Sequence, residues 1–247
     1  MNMILNYYIE LRRSILEFKN FKINIIFANL GYIILFMGLI DFFDNERKSL
    51  FFLLFTWYWS LHGLDSTAFI LEEEIEYRTL FNILSSKVSI FSIIAMRNLI
   101  QIFMDFMKGC IIFIIIAIVL NMSLNVSLSQ FLLIFIFIIT TTIIMYLIGG
   151  IIGSFALVYK RISSLSGVLY YVILFFSGIF YEVKVFSVLF PFTVLNNIII
   201  SLLNNNKIPM NSVIIICFQL IGYLSLMFLS FKINCRRLYR EGKILHV

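Results

Sequence analysis

Few residues in this chain could carry chemistry, and most of them sit where charge is costly. His62, Asp65, Asp105 and Lys108 all fall inside runs of apolar residues. At membrane depth an ionisable side chain costs about 2.5 to 3.5 kcal/mol on insertion scales and is a functional candidate by default. Asp105 and Lys108 stand at i and i+3, a spacing that puts both on one helix face and lets them neutralise each other. Asp65 and His62 lie seven and ten residues before Glu72, and Asp105 and Lys108 eight and eleven after Arg97. If Glu72 and Arg97 mark the same membrane surface, the four residues reach similar depth on antiparallel neighbours. The expectation is one buried polar cluster between the second and third spans. Fixing helix register is its first reading, ahead of substrate contact or proton relay.

A second concentration of charge is Glu72, Glu73, Glu74 and Glu76, beside Tyr77 and Arg78. Four acids in five positions demand water or basic partners. Leu80, Phe81 and Leu84 follow at helical spacing, which predicts a short amphipathic helix across 72–89 with a face shaped to touch something. The plain alternative is a solvated loop whose acids start a helix favourably.

The elements that must position these residues follow from composition. Hydrophobic residues make up 62% and charged residues 13% of the 247, and the mean hydropathy is +1.02. A soluble domain averages about 45 to 50% apolar and about 25% charged, so a water-soluble fold is excluded. Apolar runs at 23–40, 50–71, 90–120, 128–159, 162–180 and 213–231 predict six membrane-spanning helices in a single all-helical domain, 1–247. Residues 1–22, with Ile4, Tyr8, Leu11, Ile15 and Phe18 at alternating steps of four and three, predict an amphipathic interfacial helix. A cleavable leader is not expected, because the first apolar run begins after Arg12, Arg13, Lys19 and Lys22 and no small-residue cleavage site follows it. The stretch 181–211, interrupted by Pro191, Asn196 and Asn197, predicts a hairpin dipping into the outer leaflet, covered by protein.

Basic residues orient the chain. Fourteen fall in the N-terminal segment, the 72–97 and 160–161 links and the C-terminal tail, against Arg47, Lys48, Lys184 and Lys207 in the alternate loops. The positive-inside rule then puts both termini of this multi-pass protein in the cytosol, at the cell membrane. The net charge of +6 belongs to that pattern, and nucleic acid is not an expected partner. Cys110, Cys217 and Cys235 form no metal spacing with a histidine and imply no disulfide framework. No metal or cofactor is expected on this chain. Gly149 and Gly153 form a small-xxx-small pair that lets another helix approach, within the chain before between chains.

The run Glu74, Ile75, Glu76, Tyr77, Arg78, Thr79, Leu80, Phe81, then Leu84, Ser86 and Ser89 resembles the cytosolic motif of type 2 ABC exporter permeases. In that motif an acidic pair precedes Gly-Thr-Leu-Glu and a small-residue stretch. Arg78 stands where the family has Gly, Phe81 where it has Glu, and Lys87 where it has Pro. Ser177, Gly178, Ile179 and Phe180, then Pro191, Phe192 and Thr193, are similar to the family's Ser-Gly-x-Phe and Pro-x-Thr elements. The resemblance implies a transmembrane permease that exports an amphiphile such as a drug, a hydrophobic or antimicrobial peptide, or a lipid. It also implies a coupling segment around Glu74 to Leu84, a partner dimer of cytosolic ABC ATPases that holds MgATP, a second permease subunit, and contact with membrane lipid. The chain carries no G-x-x-x-x-G-K-[ST] loop and is not expected to be an enzyme. Two other readings are a membrane anchor or immunity protein without transport activity and, more remotely, a CAAX-type intramembrane protease. Glu73, Glu74 and Arg78 spell E-E-x-x-x-R for the latter, but His62 and His246 cannot complete its catalytic set.

Overall fold

The computed structural model describes residues 11–12, 16, 22–42, 47–79, 90–122, 126–175, 189–204 and 206–240. Every regular element among them is helical. Hydrocarbon offers no partner to a backbone N–H or C=O, and a helix satisfies both within itself. In chain order these are α1 (Lys22–Phe42), α2 (Arg47–Trp59), a 3₁₀ turn (Leu61–Gly63), α3 (Ser66–Glu76), α4 (Ile90–Val119), α5 (Leu128–Ser154) and the short α6 (Ala156–Tyr159). They continue with α7 (Ser163–Phe175), α8 (Pro191–Leu203) and α9 (Met210–Arg240).

Among the described residues, three helical stretches are long and apolar enough to cross a membrane: Ile90–Val119, Leu128–Tyr159 and Met210–Leu238. At about 1.5 Å per residue each exceeds the roughly 30 Å hydrocarbon core and must tilt or project beyond it. Six spans were expected, and the other three fall on shorter or only partly described helices. Asn29–Phe42 and Pro191–Leu203 are shorter apolar helices, and α7 is followed for 13 residues. Most of the interfacial helix predicted over 1–22, the whole of residues 80–89, and Gly178 and Phe180 lie outside the described residues.

The second expected span, 50–71, is not one helix. It breaks between Trp59 and Ser66. The cause is local and tertiary together. Thr56 Oγ1 donates back to the Phe52 carbonyl at 2.8 Å and Ser60 Oγ to the Trp57 carbonyl at 3.2 Å, the kind of bonding that bends helices. Gly63 then lets the backbone of the break lie flat against α5, where Gly149 receives it.

The buried face of α5 carries Ile134, Ile138, Met145 and Tyr146 and packs against α2, α3, α8 and α9. Ser127 and Gln130 close a reciprocal capping box at its start. Gln130 Nε2 also donates to the Leu202 carbonyl at 2.9 Å, and Tyr223 OH donates to that of Leu189 at 2.8 Å. These bonds fix both ends of α8, whose Phe192, Leu195, Ile198 and Ile199 are buried. Pro191 stands in its first turn, where a missing N–H is no loss. Opposite, Phe36, Trp57, Tyr58 and Phe113 join α1, α2 and α4 through edge-on and tilted ring contacts.

Candidate functional site: a mid-span carboxylate and a tethered helix end

Asp105 lies midway along α4 and is 1% exposed. Lys108 Nζ donates to its Oδ1 at 2.9 Å, and Gln101 Nε2 stands 3.0 Å from both carboxylate oxygens. Tyr146 of α5 donates its hydroxyl to Oδ2 at 3.2 Å. Gln101, Asp105 and Lys108 follow i, i+4 and i+3 steps on one face, so the carboxylate is neutralised and hydrogen-bonded before a second helix adds its bond. A buried charge is tolerated on those terms.

His62 and Asp65 form a separate pair, 3.8 Å apart, with side chains 44% and 47% exposed. Among the described residues no hydrogen bond or ion pair joins the two pairs. The single buried cluster expected of His62, Asp65, Asp105 and Lys108 is therefore replaced by a buried ion pair and a half-open neighbour. The break in the second span is the reason, since residues 61–65 do not continue the helix face from which their depth was reckoned.

The acidic segment also departs from expectation. Glu72 to Glu76 are the last turns of α3, and the helix ends in a Schellman motif. Arg78 N–H donates to the Ile75 carbonyl at 3.2 Å, Thr79 N–H donates to that of Glu74 at 2.9 Å, and Arg78 has φ 57°. An amphipathic helix starting at Glu72 is thus excluded. Glu74 is buried, paired with Arg97 of α4 at 2.6 Å and hydrogen-bonded by the Thr79 hydroxyl. Glu72 accepts the backbone N–H of Ile162, in the link from α6 to α7. Only Glu76, Tyr77 and Arg78 turn outward, Tyr77 being 70% exposed. Leu80, Phe81 and Leu84 lie outside the described residues.

Sequence reasoning missed several polar residues. Asn98 accepts from Ser66 at 3.1 Å and donates to Thr67 at 3.0 Å, and Asn234 of α9 donates to Ser154 at 2.9 Å. Gln101, one turn before Asp105, was visible as a helical neighbour. Tyr146 carried no local signal. Gly149 and Gly153 pack within the chain, against Gly63 and against Thr67 and Ala68. Pro191 and Thr193 open α8, and Thr193 Oγ1 donates to the Phe190 carbonyl at 2.8 Å.

Among the described residues no three His, Cys, Asp or Glu side chains converge as metal ligands. What the arrangement can do is hold one neutralised carboxylate in the bundle and tie the end of α3 to two other segments. A scan of the chain against protein-family models finds no match, and a comparison with curated proteins finds none either.

Proposed function

We propose that the chain is the transmembrane permease subunit of an ATP-binding-cassette exporter of the type 2 class. In this reading it has six spans, the second broken at Ser60–Asp65, with both termini in the cytosol. It pairs with a second permease, same or related, and with a cytosolic ATPase dimer that hydrolyses MgATP, and it moves an amphiphile outward.

The observation that carries this reading is the backbone of Arg78. Its φ of 57° falls in the left-handed region that favours glycine, at the one position where the type 2 motif has glycine and this chain does not. Motif register and backbone conformation are independent, and they agree on the residue. The connections of α3 supply a mechanism. A partner docked on Glu76, Tyr77, Arg78 and the residues that follow would press on a helix end held to α4 through Glu74 and Arg97, and to the α6–α7 link through Glu72. Its motion would reach the spans without a further intermediary.

The test is purification of the tagged chain from its native membranes in mild detergent. Its companions are identified, and ATP hydrolysis is measured with and without Leu80→Asp. Co-purification of a cytosolic ATPase that the substitution abolishes supports the exporter. A chain that comes out alone, without ATPase activity, in several detergents sinks it in favour of an anchor or immunity protein.

A further inference from the structure

The last turns of α9 have two faces of opposite chemistry. Asn234 donates through Nδ2 to the Ser154 hydroxyl at 2.9 Å, and Phe231 and Leu238 are buried in one apolar cluster with Leu71 of α3 and Leu157 of α6. Positions 231, 234 and 238 lie on one side of a helix, so the rotation of this end about its axis is fixed. Lys232, Arg236 and Arg240 follow at i, i+4 and i+8 on the other side, with Arg237 beside them, and all four are exposed. None of the four forms an ion pair among the described residues. From Lys232 to Arg240 the sequence has no acid. Of the acids at the same end of the bundle, Glu72 is taken up by the Ile162 N–H and Glu74 by Arg97. Like charges one turn apart repel, and this face calls for an anion from outside.

The position of the cations along α9 indicates which kind. Met210 to Phe231 carries no charged residue, a length of about 33 Å at about 1.5 Å per residue, against a hydrocarbon core of about 30 Å. Lys232 therefore stands where hydrocarbon gives way to headgroups, with Arg236 and Arg240 one and two turns beyond. Leu229 and Phe218 precede Arg236 by close to whole helical turns and are exposed on the same face. A soluble acidic partner would meet the cations only. A phospholipid meets both, its acyl chains along Phe218 and Leu229 and its phosphate among guanidinium groups whose planar donors match two phosphate oxygens. The headgroup must be net negative, since a zwitterionic lipid brings its own cation to the same place.

We propose that Lys232, Arg236, Arg237 and Arg240 form, with Phe218 and Leu229, a binding site for an anionic phospholipid in the leaflet that meets the C-terminal end of α9. The site does not rest on the exporter reading. Lipid binding to the purified chain therefore tests it even if no ATPase is ever found.

The full chain, stripped of native lipid in detergent, is titrated with phosphatidylglycerol and, separately, with phosphatidylcholine of the same acyl chains, and bound lipid is counted by native mass spectrometry. Phosphatidylglycerol is expected to bind at least about tenfold more tightly. Arg236→Gln together with Arg240→Gln should cut that preference to about twofold or less, whereas Arg236→Lys together with Arg240→Lys should keep most of it. Lys207→Gln is the control, because Lys207 is an exposed cation just before the opposite end of α9 and its loss changes net charge without touching the site. Equal binding of the two lipids would overturn the site and leave the basic face to an acidic soluble partner. A preference untouched by the paired glutamine variant, or lost as fully in Lys207→Gln, would overturn it as well. Should the pair fail to fold, Arg236→Gln and Arg240→Gln taken singly, each expected to lower the preference about threefold, decide in its place.

Discussion

A methyl group built on Gly149 would stand 1.8 Å from the carbonyl oxygen of Gly63. Backbone meets backbone at that point, so no side-chain rotation can relieve the clash, and the broken second span can lie on α5 only while residue 149 has no side chain. Gly149→Ala is expected to destabilise the chain by about 3 kcal/mol, seen as a large fall in thermal midpoint and yield in detergent. Gly222 has nothing within 4 Å of its Cβ position, and Gly222→Ala should be neutral or stabilising by up to about 1 kcal/mol. Equal behaviour of the two variants would show that the break does not pack on α5.

Asp105→Asn removes one partner of a buried ion pair and leaves Lys108 uncompensated. A loss of about 3 kcal/mol is expected, with less folded protein in the membrane. The double variant Asp105→Asn with Lys108→Met should recover part of that loss, and a double-mutant cycle on thermal midpoints measures the coupling. Normal abundance with lost transport would instead give the pair a direct part in function.

Glu74 and Tyr77 are three residues apart and should separate stability from docking. Glu74→Gln removes the carboxylate charge that faces Arg97, whose side chain is 15% exposed, and should lower stability by about 1 to 3 kcal/mol. Tyr77→Ala touches only exposed surface and should stay within about 0.5 kcal/mol of the parent, while weakening the proposed ATPase association. Melting curves and co-purification on the same preparations distinguish the two effects.

Arg78 occupies the left-handed region without being glycine. Arg78→Gly should raise the thermal midpoint slightly, by about 0.5 kcal/mol once the freedom of glycine in the unfolded chain is set against the relieved strain. Arg78→Val, branched at Cβ, should lower it by about 1 kcal/mol. A valine variant as stable as the glycine variant would mean that the turn after Glu76 has another shape.

The all-helical class and the runs underlying α4, α5 and α9 were legible before any coordinates, because lipid imposes helix on any long apolar run whatever its neighbours. The Asp105–Lys108 pair was equally legible, since an i, i+3 spacing within one helix is settled by 3.6 residues per turn. So was the capacity of Gly149 and Gly153 to admit a neighbour, though not which one.

Tertiary structure alone decided where helices stop and which way acids turn. Leu50 to Leu71 reads as one span, yet it breaks where Thr56 and Ser60 bond back and Gly149 accepts the backbone of Gly63. His62 and Asp65 consequently part from Asp105. Glu72, Glu73, Glu74 and Glu76 look equally solvated as a string of acids, but Glu74 is claimed by Arg97, 23 positions away, and Glu72 by an N–H 90 positions away. Periodicity reports which residues share a face of one helix. It does not report what another helix presents to that face, and here the presented groups, Arg97, Tyr146, Ile162 and Gly149, fixed the site.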